Sequence, residues 1–154
     1  MKRLTLILLS ALFLVSCSKD TLEQTRWEYK TDMANHDYTI ELNLTSASHG
    51  NAVIKEYINP PAEGLQPCSF THIYDVSYSF DGDESGTITF RKEYIETYNT
   101  SQTYFNWYTD TVTSSFYTYA GNNKMFIYTT PCSILEHIEL TKNNTAKMSV
   151  VRDI

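Results

Sequence analysis

The chain has 154 residues, 42% of them hydrophobic and 14% aromatic, with 12 tyrosines and a formal net charge of −6. That length is the size of one domain. The acidic balance excludes a nucleic-acid partner, because a phosphate backbone needs a basic face.

In chain order, Met1-Lys2-Arg3 is a short cationic start, and Leu4 to Val15 is apolar apart from Thr5 and Ser10. The run is too short to span a bilayer comfortably and has the anatomy of a secretory signal, so 1–16 is set aside from the fold. It closes on Leu14-Val15-Ser16-Cys17. This stretch resembles the lipobox of bacterial lipoproteins. The resemblance implies cleavage before Cys17, acylation of that cysteine, and anchorage to the outer membrane on the cell surface or at the periplasmic face. A plain signal peptide and a retained anchor are the alternatives. Each buried acyl methylene contributes about 0.8 kcal/mol, so several chains hold the domain firmly at a membrane. Without Lys2 and Arg3, ten basic residues face eighteen acidic ones, a formal charge of −8. Residues 17–24 read as the lipidated cysteine and its linker, and 25–154 as a single domain.

Tyr, Thr, Val and Ile dominate that domain and favour pleated, half-buried surfaces. No long run of apolar residues at helical spacing is present. Arg26 to Lys30 reads as a first strand, with Trp27 and Tyr29 on one face. Tyr38, Ile40, Leu42 and Leu44 alternate with Thr39, Glu41, Asn43 and Thr45, which predicts a strand with one wet face. A strand over Ala52 to Ile58 follows the Gly50-Asn51 turn. The stretch 59–67 carries three prolines and cannot be sheet. Phe70 to Phe80 and Gly86 to Lys92 form a long hairpin around an acidic turn. The stretch 93–103 is polar, carries tyrosines, and reads as a strand extension and loop. Thr111 to Tyr119 and Lys124 to Tyr128 flank the turn Ala120-Gly121-Asn122-Asn123. Ile134 to Lys142 is a late strand, and Lys147 to Arg152 a possible last one.

The expected fold is all-β, with sequential antiparallel hairpins curling into an up-and-down barrel of about eight strands. Closure removes the exposed edges that a flat sheet would leave, and a β-sandwich is the rival. Cys68 and Cys132 both follow proline and precede serine, each ahead of a strand-like run. In an exported protein they are a candidate disulfide, the alternative being two buried thiols.

The run Leu22-Glu23-Gln24-Thr25-Arg26-Trp27, the Tyr78-Ser79-Phe80 and Gly86 to Phe90 pair, and Tyr117 to Asn122 leading into Met125 to Tyr128 resemble the small lipocalin-like domains of bacterial lipoproteins. The resemblance implies a calycin-type barrel with Trp27 as the plug of its closed end. Thr25 stands where lipocalins carry a glycine. The likeness lends a fold more than a function.

Asp81-Gly82-Asp83-Glu84-Ser85-Gly86 begins like a calcium loop, but Lys92 holds its twelfth position, so it reads as a hairpin tip and no metal is assigned. His36, His49, His72 and His137 lack ligand spacing. No nucleophile motif is present, and the chain reads as no enzyme, with no cofactor. The aromatic group Tyr94, Tyr98, Tyr104, Phe105, Trp107 and Tyr108 is the candidate binding site, since tyrosine and tryptophan join an apolar face to a polar handle. The leading expectation is a lipid-anchored, non-enzymatic envelope protein. It binds a small apolar or amphiphilic ligand through a mouth framed by 59–69 and 93–109. A packed barrel that touches an envelope protein, as accessory or inhibitor, is the second. A glycan-binding module with exposed aromatics is the third.

Overall fold

The computed structural model describes residues 21–33, 35–59, 67–98 and 108–144. Among them are eight strands: β1 Thr25–Met33, β2 His36–Leu44, β3 His49–Ile58, β4 Cys68–Phe80, β5 Ser85–Tyr98, β6 Thr111–Tyr119, β7 Lys124–Ile127 and β8 Ile138–Lys142. Each pairs with the next, and β8 returns to β1, so the sheet closes as an antiparallel up-and-down barrel and the sandwich is excluded. The closing seam is short, Trp27↔Lys142 and Glu28↔Thr141. A backbone bond from Asn143 to the Arg26 carbonyl (2.8 Å) extends it.

The registers define two ends. Thr25, Leu44, Phe80, Ser85, Tyr119 and Lys142 meet at the lower end. His36, Ile58, Cys68 and Tyr98 meet at the upper end. The period-two pattern fills the interior. Tyr38, Ile40, Leu42 and Leu44 are all buried, as are Ala52, Ile54, Tyr74, Val76, Ile88, Phe90, Phe116, Met125 and Ile127. Trp27 is fully buried toward the lower end beside Leu22, where its indole N–H donates to Thr25 Oγ1 at 2.8 Å.

Two expectations need correction. Cys68 and Cys132 are both free and buried, not bridged. Their surroundings differ despite the matching sequence. Cys68 opens β4 within a small cluster with Ile58 and Phe70, while Cys132 belongs to the main core and precedes no strand. The late strand begins at Ile138 instead of Ile134, because 133–137 forms the connection from β7. The extension expected beyond Lys92 is formed as far as Tyr98, across a bulge at Ile73/Tyr74. Lys147 to Arg152 lies outside the described residues.

Gly86 sits where no side chain fits. A Cβ there would stand 2.1 Å from the Ser79 carbonyl oxygen and 2.6 Å from the Phe116 ring. Gly86→Ala is therefore expected to destabilise the barrel by roughly 1–3 kcal/mol, the usual cost of overpacking. Urea denaturation reads this directly, and a midpoint unchanged from wild type would contradict it.

Candidate functional site

The upper end holds a group of polar side chains inside the barrel wall. Along β3, Ala52, Ile54, Glu56 and Ile58 share the inward face, so alternation alone carries a carboxylate into the interior. Glu56 is 1% exposed. Tyr38, from β2, donates to its Oε1 at 3.0 Å, and Tyr108 donates to its Oε2 at 3.0 Å. His36 Nε2 lies 4.0 Å from Oε1. Burial pushes the Glu56 carboxyl above its ordinary range, and the two tyrosine donors and His36 pull it back only in part. Burial, with Glu56 adding to it, holds the Tyr38 hydroxyl protonated.

His72 is the second element. It faces inward from β4 between Phe70 and Tyr74, is 2% exposed, and stacks on Tyr108 with ring centroids 3.6 Å apart and planes at 16°. Neither ring nitrogen has a hydrogen-bond partner among the described residues. Burial, reinforced by Lys92, lowers its pKa from 6.5 to about 4, so the imidazole is neutral at neutral pH. Lys92 follows Ile88 and Phe90 on the inward face by plain alternation, opposite inward-facing Tyr74, and the bulge comes just after it. There Nζ donates to the Tyr108 carbonyl (3.4 Å) and to Asp110 (2.9 Å).

Tyr108 is thus the hub. It reaches the interior from the connection between β5 and β6 and bridges to Cys132 in the connection between β7 and β8. Burial pushes both thiols up, leaving Cys68 and Cys132 protonated and weakly nucleophilic. A carboxylate held by two phenols, a neutral imidazole and an apolar rim of Ile58, Cys68 and Phe70 can receive hydrogen bonds and shelter hydrocarbon. Among the described residues, no group of three or more His, Cys, Asp or Glu could hold a metal ion.

The residues singled out in the sequence scatter. Tyr108 is inside, whereas Tyr94 is 57% exposed on the outer surface. Tyr98 ends β5 opposite Ser69. Tyr104, Phe105, Trp107 and Cys17 lie outside the described residues. Asp81 spends its carboxylate on its own turn. Oδ1 accepts the backbone N–H groups of Asp83, Glu84 and Ser85, and Oδ2 accepts the Ser85 hydroxyl. The Ser85 hydroxyl foremost, with those backbone bonds, holds its pKa at about 2. His49 is exposed beside Ser48 (2.7 Å), and exposed His137 stacks on Phe126.

Comparison with protein-family models, with curated proteins and with solved structures returns no match for this chain. Two open clefts lie at the lower end, away from the Glu56 cluster. One, of about 530 Å³, is bounded by Ser79, Thr87, Ser115 and Tyr128. The other, of about 230 Å³, is bounded by Leu22, Tyr78 and Phe80. Sequence reasoning passed over Glu56 and, as a binding group, His72. Both stand in period with buried neighbours, and that was the available signal.

Proposed function

We propose that the chain is a lipid-anchored, non-enzymatic envelope protein that binds a small amphiphilic ligand at the upper end of its barrel. The observation that carries this reading is His72, buried with both ring nitrogens unpartnered among the described residues. Leaving a buried polar group unpaired costs roughly 1–3 kcal/mol, which a ligand hydroxyl would recover. A neutral imidazole offers one donor and one acceptor, which suits a hydroxyl. Glu56, joined to His72 through Tyr108, disfavours a carboxylate head. Side chains fill the described interior, so the ligand enters by displacing Tyr108, which already presents a ring to His72 and a hydroxyl to Glu56 in the same place.

Native mass spectrometry of the purified protein, with dodecanol as probe, tests the proposal. Wild type is expected to retain the alcohol, and His72→Phe to bind it roughly tenfold more weakly, since the lost hydrogen bonds are worth about that factor. Equal retention by both, or none by wild type, would reject it. The second reading, a packed barrel that binds a partner through its exterior, draws support from the continuous core running from Leu22 to Leu140. Absence of dodecanol binding favours that alternative.

A further inference from the structure

The outer surface of β6 and β7 carries rings where a water-facing strand normally carries polar side chains. Tyr117 and Tyr119 project outward from β6. Phe126, on β7, and Tyr128, just beyond its end, project outward beside them, and exposed His137 extends the row. Tyr128 is 55% exposed and Tyr119 36%. The rings pack on one another. Tyr117 and Phe126 lie 5.4 Å apart at 25°, and Phe126 and His137 lie 5.3 Å apart at 26°. Tyr128 stands edge-on to Phe126 at 5.1 Å and 76°. Mutual contact holds these rings in place, so little side-chain freedom remains to be lost when a ligand lies across them.

From this patch we propose that β6 and β7 form a carbohydrate-binding platform for an uncharged polysaccharide, a site separate from the upper-end cluster. Three features specify the ligand. The first is the exposed row of rings, whose apolar faces match the C–H face of a sugar ring. The second is the open cleft of about 530 Å³ that adjoins the row through Tyr117 and Tyr128. Its Ser79 and Thr87 hydroxyls bond each other at 2.9 Å and keep one donor and spare lone pairs, and Ser115 adds a third hydroxyl for sugar hydroxyls to meet. The cleft's size is within the range of small-molecule sites.

The third feature is charge. Lys124 Nζ binds Glu139 at 3.0 Å, and the Tyr119 hydroxyl donates to the same carboxylate. The platform's own charges are thereby committed to each other, and the chain as a whole carries −6. An anionic polysaccharide would be repelled. A membrane surface would call for several Lys or Arg on this face, whereas Lys124 is already paired.

The test is affinity electrophoresis of the purified protein through gels containing xyloglucan, galactomannan, soluble starch or polygalacturonate, alongside flotation with phosphatidylcholine vesicles. Retardation by at least one neutral polymer and none by polygalacturonate is expected. Tyr128→Ala should weaken it roughly fivefold to tenfold, the usual range for one aromatic contact. Its melting temperature should stay within about 2 °C of wild type, since the side chain is largely exposed. Tyr117→Phe, which keeps the ring, should retain most of the binding. Three results overturn the proposal: no retardation by any neutral polymer, equal retardation of Tyr128→Ala, or vesicle binding that depends on Tyr128 without polysaccharide retention.

Discussion

Replacing Trp27 by alanine should cost about 3–5 kcal/mol, the range for emptying a large aromatic site in a core. Trp27 is fully buried, its indole N–H is spent on Thr25, and the Lys142 ammonium stands 5.9 Å from its ring centre. The residue also belongs to one of the two register pairs that join β1 to β8 among the described residues. A cavity there opens the seam as well as the core. For a domain of this size the melting temperature should fall on the order of 10 °C. Trp27→Phe, which keeps a ring and loses the donor, should cost less than half as much. A loss below about 1 kcal/mol for Trp27→Ala, measured by urea denaturation, would mean the lower end is closed by other groups.

The second large effect is on pH dependence. His72 is neutral when folded, and its pKa falls from 6.5 to about 4, chiefly through burial. The unfolded chain takes up a proton below pH 6.5 that the folded chain refuses until about pH 4. Stability from this group is therefore complete above pH 6.5 and is lost as pH drops through that window, by about 3 kcal/mol in all. Glu56 acts in the opposite sense. Its carboxyl is raised by burial, so the folded chain accepts that proton first and gains stability as pH falls. Urea midpoints from pH 7 to pH 4 should show His72→Phe losing the acid-side decline and Glu56→Gln making it steeper. Identical slopes in wild type and His72→Phe would refute this assignment.

Much of the barrel was legible because its strands are two-faced. Tyr38, Ile40, Leu42 and Leu44 bury every second side chain, and the long β4–β5 hairpin declares itself by the same rhythm. What escaped was set by events that alternation does not encode. The bulge at Ile73/Tyr74 shifts the register of β5 beyond Lys92 and turns Tyr94 outward, and no glycine or proline marks the place. The shared Pro-Cys-Ser context suggested a disulfide, yet Cys132 sits in a connection and Cys68 in a strand. Aromatic density drew attention to 104–108. The rings that gather on one surface are instead spaced two apart on hairpin-linked strands, Tyr117 with Tyr119 and Phe126 with Tyr128, a pattern visible only once both strands are placed side by side. Glu56 was hidden for a simpler reason. The expected strand over Ala52 to Ile58 runs through Glu56, but its step with Ala52, Ile54 and Ile58 places a charge on the inward face, where carboxylates seldom stand.

Leu22 is buried against the lower end, so the proposed anchorage at Cys17 would set which way the barrel stands. Four residue steps lead from Cys17 to Thr21, a reach of at most about 14 Å. Under that proposal the barrel would stand upright on a short leash, its Trp27 end toward the lipid and its Tyr108 end away from it. The row from Tyr119 to Tyr128 would then climb away from the bilayer like rungs, so a polymer strand lying along it would run outward from the membrane instead of across it. Asp81, Asp83 and Glu84, at the foot of that climb, would keep the barrel propped clear of anionic headgroups.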